Sequence, residues 1–279
     1  MNVSRLRSSV YGAGFTLALL GLSASAATIT LVSVEQEIAI GKQTNAQIRK
    51  QTPELSDAAL SRYVQDVTRR LARVATGPKY PYTVAVADSR EINAFALPGG
   101  PVWIHRGVLE KATNESQVAS VLAHEIAHIA SRHAARQLTT AAMTKWSLSL
   151  LGSLLGNTGG AGGAQVAAEF LASGVFLKFN REEEREADRV GLGLMSRAGW
   201  DGRGMAEMFE ILKKEAGRNP TSVEAFFSSH PSPQDRIKEV TAAVSAHRKG
   251  RRDSREFQVI KARLLKMPPP RTGHNRKSG

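Results

Sequence analysis

Apolar positions at helical spacing dominate the chain. They recur at Leu60, Tyr63, Val64, Val67 and Leu71, with Asp57 placed as a first-turn acid, and this predicts helix over 34–74. Gly77-Pro78 and Pro81 break that pattern. The stretch 82–87 then carries Thr83, Val84 and Val86, the composition of a β-strand. A second short strand is predicted over 92–97, a turn at Pro98-Gly99-Gly100-Pro101, and a third strand over 102–105 that can pair back as a hairpin. Thr113 or Asn114 can cap the next helix, which the spacing of Val118, Val121, Leu122, Ile126 and Ile129 carries over 115–138. Further helices are predicted over 181–198, 205–216 and 234–247, with 229–233 as a loop. The pattern describes an α+β chain, mostly helical with one small sheet, and no internal repeat suggests a solenoid.

Two other apolar runs, 146–155 and 164–179, flank a Gly-rich segment at 156–163. Neither run spans a bilayer by itself. They predict a helical hairpin packed over a cleft, an element touching a membrane surface, or both. At the N-terminus, Arg5 and Arg7 precede a short apolar run over 10–22 and the small residues Ala24-Ser25-Ala26. That order predicts an export signal over 1–26, and in a Gram-negative bacterium a periplasmic mature protein.

Charge and cysteine usage narrow the chemistry. The formal net charge is +13, but eleven Lys/Arg against Asp253 and Glu256 lie in 247–279. The body is therefore only mildly basic, which argues against nucleic acid as a partner. The segment 248–279 reads as a basic disordered tail, able to meet an anionic lipid surface as a peripheral contact. The chain has no cysteine, which excludes disulfides, a Cys nucleophile and thiolate metal ligation. No anchoring Cys follows the apolar run, so a lipoprotein is not expected. Any metal must be held by nitrogen and oxygen.

His124 and His128 are four residues apart on a predicted helix and therefore share a face. Two imidazole nitrogens so placed can bind one Zn²⁺ at about 2.0–2.1 Å. Glu125, one step round from His124, is placed to take a proton from a water activated by the ion and pass it to a leaving amine. The surroundings are apolar (Val121, Leu122, Ala123, Ile126, Ala127, Ile129). Two histidines and a carboxylate embedded there need partners, which favours a metal site over a solvated helix surface. A third ligand is expected within 181–189, where spacing alone does not choose among Glu182, Glu183, Glu184 and Glu186. Glu184 and Asp188 share a face, so one could bind the ion while the other orients an imidazole N–H.

Four motifs in order, Asn93-Ala94-Phe95-Ala96-Leu97-Pro98-Gly99-Gly100, His124-Glu125-Ile126-Ala127-His128, Glu184-Arg185-Glu186-Ala187-Asp188 and Ser229-His230-Pro231, resemble those of the M48 metallopeptidases. The resemblance covers roughly 35–247, so that 27–247 is expected to form one peptidase domain. It implies a zincin-like fold with the sheet beside the active-site helix, one Zn²⁺ per chain on His124, His128 and Glu184, and Glu125 as general base. It further implies that Asp188 supports the ligands from behind. His230 is implied to approach the site, either stabilising an oxyanion or filling the open coordination position of a resting enzyme. Asn93, Ala94 and Phe95 fall on the family's substrate-facing strand, where an extended peptide could add by main-chain hydrogen bonds.

The export signal is similar to that of the periplasmic members acting in outer-membrane protein quality control, although no tetratricopeptide domain follows. The implied substrates are unfolded or misassembled polypeptides, and the outer-membrane protein assembly machinery is an implied partner. Two alternatives remain open at this point: a chaperone-like module that uses the same cleft with His230 closing it, and a metal-dependent hydrolase of non-peptide bonds.

Overall fold

A computed structural model of the chain describes residues 30–144, 178–231, 233–247 and 249–270. The expected signal over 1–26, the Gly-rich segment with nearly all of its flanking apolar runs, and 271–279 lie outside these residues. The predicted helix over 34–74 is two helices, α1 (Val34–Gln51) and α2 (Ala58–Ala72). Pro53 falls between them, where the chain turns extended so that Glu54 bridges Ala87. Each helix has its own cap. Ser33 and Gln36 form a reciprocal capping box on α1, and the Asp57 carboxylate accepts from the Leu60 N–H on α2.

The sheet has three strands, β1 (Thr83–Ala87), β2 (Ala94–Ala96) and β3 (Pro101–His105), in the order β1-β3-β2. The expected hairpin is present, with Phe95 opposite Trp103, while β1 runs parallel to β3 with Ala85 opposite Trp103. Its turn is pressed against α1. A Cβ on Gly99, whose φ is +70°, would lie 2.4 Å from the Ile38 Cα, so only glycine fits there. Strand side chains alternate between two cores: Val84, Val86, Val102 and Ile104 join α2 and the central helix, whereas Ala85, Ala87 and Trp103 pack with Ile40, Ile48 and Leu138.

After the short α3 (Arg106–Lys111), α4 (Glu115–Ala130) runs through the middle of the molecule, and every one of its residues is buried. A helix buried all round takes its surface from its neighbours, here α2, the sheet and the helices that follow. The expected helix over 115–138 is interrupted. It stops at Ser131, Arg132 adopts φ +58°, and α5 (His133–Thr144) leaves in a new direction. The chain resumes with α6 (Arg181–Ala198), capped by Asn180 and closed by Gly199 at φ +87°. It continues through α7 (Arg203–Arg218), a single 3₁₀ turn (Pro220–Ser222), α8 (Glu224–Ser229) and α9 (Pro233–Val244).

The basic tail requires a correction. Instead of leaving the fold at 248, the chain pairs Arg251 with Trp200 and forms α10 (Arg255–Leu265), capped by Ser254. Phe257, Ile260 and Leu264 are buried against the main core. Spacing of three and four residues puts these side chains on one face, so the charges occupy the other. Arg106, itself buried, donates to the carbonyls of Leu264, Met267 and Pro268 and so closes the end of α10. The folded unit therefore reaches residue 270.

Candidate metal and catalytic site

One turn of α4 brings His124 and His128 together, with their Nε2 atoms 3.0 Å apart. Glu184, on the first turn of α6, offers Oε1 at 3.3 Å from His128 Nε2 and Oε2 at 3.6 Å from His124 Nε2. His230, just past α8, places Nδ1 at 2.8 Å from Glu184 Oε1 and 3.4 Å from His124 Nε2. Among the described residues these four offer one ligand atom each, all within 4.8 Å of one another, and all four side chains are buried. Glu184 is thus the member of the 181–189 cluster that reaches the histidines, and its burial separates it from the exposed Glu182.

The surroundings fix which atoms are free. Asp188 Oδ1 lies 3.0 Å from His124 Nδ1, and His133 Nδ1 lies 2.6 Å from His128 Nδ1. With the rear nitrogens engaged, both Nε2 lone pairs point at one place, toward a carboxylate. Three or four N and O donors converging there, without sulfur, fit a divalent metal ion. The residues present therefore suit the group that the motif implies.

Charge holds this arrangement. Arg236, buried on α9, donates from Nε and Nη2 to the two oxygens of Asp188 at 2.7 Å each, while Nη1 meets Glu184 Oε2. Its guanidinium also lies over the Phe209 ring. Burial works against an ionised Glu184, but His230 and Arg236 outweigh it and hold the carboxyl well below its usual range. Asp188 is likewise kept ionised by Arg236 against its own burial. Burial pushes His128 well below the usual histidine range, which keeps a lone pair for a metal. For His230 burial is opposed and outweighed by Glu184, so its pKa is raised.

Glu125 is fully buried, and neither carboxylate oxygen has a hydrogen-bond partner among the described residues; His230 Nε2 is 3.7 Å from Oε1. Burial raises its pKa, the direction required of a carboxylate that must hold a proton and release it. Phe179 stacks on His128 with ring centroids 3.8 Å apart, and Phe226 stacks on His230. These rings limit the histidines' freedom to turn.

The expected substrate strand is the sheet's edge. Asn93 O accepts from His105 N, and Leu97 N donates to Pro101 O. By the alternation of antiparallel pairing, the main-chain groups of Phe95 are spent on Trp103, and those of Ala94 and Ala96 face outward. Of the three expected residues, only Ala94 has main-chain groups that β3 leaves unused, and it is fully buried; the Phe95 ring stacks on Trp103, and Asn93 pairs with β3. Ala96 was not among the expected residues, although the period of two marks it. A small pocket lined by Ala96, Leu97, Gly99, His128, Arg132 and Phe179 lies between the end of this strand and His128. A second, apolar pocket beside Glu125 is lined by Val121, Met205, Met208, Phe209, Leu212 and Phe226.

Arg236 and His133 were not singled out from the sequence. Arg236 begins the inward series Arg236, Val240, Val244 on α9, where a charge on an otherwise apolar face is the detectable signal.

Comparison with known proteins agrees with this geometry. The family model described as Peptidase family M48 matches residues 58–244. The beta-barrel assembly-enhancing protease of Escherichia coli strain K12 is 30% identical over 275 residues, 96% of this chain and 55% of that protein. That of Yersinia pestis is 30% identical over 245 residues, 85% of this chain and 50% of the relative. The mitochondrial metalloendopeptidase OMA1 of Schizosaccharomyces pombe is 33% identical over 178 residues, 64% and 51% respectively. The chain spans about half the length of the curated relatives it matches. A family match that runs from the start of α2 to the end of α9, and so includes every element that delivers a side chain to the metal cluster, shows that this chain belongs to peptidase family M48.

Proposed function

We propose that the chain is a zinc-dependent endopeptidase, exported to the periplasm, that hydrolyses peptide bonds of unfolded or misassembled envelope proteins. The observation that carries this reading is Glu125, buried beside the converging His124, His128, Glu184 and His230, with neither carboxylate oxygen hydrogen-bonded among the described residues. Zinc, with its tolerance for four nitrogen and oxygen ligands, suits that donor set, and when bound it supplies a Lewis acid and lowers the pKa of water. His124 and His128 present Nε2, Glu184 remains ionised beside Arg236, and Asp188 fixes the ring of His124. Glu125 accepts the proton of the attacking water and returns it to the leaving amine. The main-chain groups of Ala94 and Ala96 that point away from β3 are the ones an extended substrate would pair with once this buried edge is uncovered, so recognition falls on peptide backbone more than on side chains. That mode suits unfolded chains.

The names of the bacterial relatives support envelope proteins as substrates and the outer-membrane protein assembly machinery as a partner. The motif order at 1–26 supports export. Among the described residues no helix is long and apolar enough to cross a membrane, and peripheral contact remains the proposed membrane role.

His230 favours a second reading in part. Its Nδ1 stands among the ligand atoms, 2.8 Å from Glu184, so His230 can close the site and leave a cleft that holds polypeptide without cutting it. Glu125→Gln separates the two. The peptidase reading predicts that this variant keeps its zinc, leaves casein intact and fails to replace the wild type in a deletion strain. Full replacement by the variant would favour the holding role, and casein cleavage by it would remove Glu125 as general base.

A further inference from the structure

His128 is held from behind by an unusual partner. Its Nδ1 lies 2.6 Å from Nδ1 of His133, a fully buried residue, and His133 Nε2 lies 3.2 Å from Glu186 Oε2. Arg136 donates to the same Glu186 oxygen at 2.7 Å. By comparison, His124 is backed directly by the Asp188 carboxylate.

Two imidazole nitrogens at that distance cannot both carry a proton or both lack one, so one donates and the other accepts. A carboxylate beside His133 Nε2 requires N–H there, which leaves Nδ1 of His133 as an acceptor. His128 must then carry its proton on Nδ1 and present the Nε2 lone pair toward Glu184. Each link follows from the one outside it, beginning at Arg136. We propose that His133, Glu186 and Arg136 form a positioning relay that locks the tautomer and ring orientation of His128 as a metal ligand. The relay rests on the metal-site reading above but assigns new roles to three residues that need not touch ion or substrate. It is also built mainly from α5, beyond the break in the active-site helix. In an unbroken helix His133 would be five residues, about 140°, round from His128 and could not back it. The left-handed turn at Arg132 brings it there. Movement of α5 relative to α4 would therefore loosen one ligand without touching the others.

The test is zinc affinity of the full chain, measured by competition with a chromogenic chelator, together with the melting temperature of the metal-free protein. His133→Phe fills the volume but accepts nothing, and it is expected to weaken zinc binding about 10–100-fold, the range for partners behind a ligand. His133→Gln can accept from His128 through its carbonyl and donate to Glu186, and it is expected to stay within a few-fold of wild type. Nitrogen-15 spectra of the histidine rings should show the His128 proton on Nδ1 in the wild type and in His133→Gln. Wild-type affinity in His133→Phe would overturn the relay. Equal losses in both variants, accompanied by a lower metal-free melting temperature, would overturn it too, by showing a packing role. A wild-type chain that binds no zinc would instead contradict the metal site itself.

Discussion

Two buried polar clusters lie nine residues apart on the same helix, and they are built to opposite rules. At the start of α4, Glu115 is closed on all sides. Its Oε1 accepts from Ser254 Oγ at 2.9 Å and Tyr63 OH at 3.4 Å, and its Oε2 meets Trp200 Nε1 at 2.9 Å and Arg251 at 2.7 Å. Even the free N–H groups of the helix end are taken, Glu115 N by Asp253 and Ser116 N by the Arg252 carbonyl. At 124–128 the same helix carries a carboxylate with no hydrogen-bond partner among the described residues, and nitrogens aimed at one another. A buried polar group left open costs stability, so such a cluster persists where something else completes it. The first cluster is a fastening, made by the segment after 248, and the second is a site.

The largest effect should come from breaking the open cluster. Glu125→Gln is expected to lower peptidase turnover by about 10²–10⁴, the range for loss of a general acid–base, measured as casein hydrolysis with zinc content unchanged. Next comes the closed cluster. Glu115→Ala strands Trp200 Nε1 and Arg251 and is expected to cost about 3 kcal/mol of unfolding free energy in urea titrations. Its zinc stoichiometry should stay at the wild-type value, because the two clusters share no side chain. Zinc removal then sharpens the contrast. At a free ion concentration 100-fold above Kd the metal adds about 2.7 kcal/mol, so chelation should lower the melting temperature of wild type and Glu115→Ala alike, and have little effect on His124→Ala.

A smaller effect is expected at the outer face of the fastening. Asp57 caps α2 and pairs with Arg263 of α10. Burial opposes its ionisation, but Arg263 and the Leu60 N–H outweigh that and depress its pKa. A depressed carboxylate pKa contributes stability that is present above the unfolded-state value and lost as pH falls through the folded one. Asn still caps α2, so Asp57→Asn loses only the pair with the half-exposed Arg263 and should cost about 0.5 kcal/mol at neutral pH, with the melting curves of variant and wild type converging in acid.

The two clusters were not equally legible in the sequence. His124 and His128 were, because four-residue spacing on a helix places side chains together whatever surrounds them. Glu184 needed the family resemblance, since four nearby glutamates look alike until the fold shows which one reaches the histidines. Arg236 and His133 were hidden for different reasons. The approach of α9 to α6 joins residues 48 positions apart, and a single left-handed residue at 132 redirects α5. The Glu115 fastening was missed altogether. The density of Lys and Arg after 247 outweighed the buried spacing of Phe257, Ile260 and Leu264 and their cap at Ser254, although charge on one face of a helix does not prevent burial of the other.

The most direct test of the contrast between a closed and an open cluster is a crystal structure of the zinc-loaded chain, with anomalous scattering recorded on both sides of the zinc edge. The account predicts one strong peak per chain, within about 2.0–2.2 Å of His124 Nε2, His128 Nε2 and a Glu184 oxygen, and no peak at Glu115. Density for zinc elsewhere, or a loaded site that lacks Glu184, would contradict it.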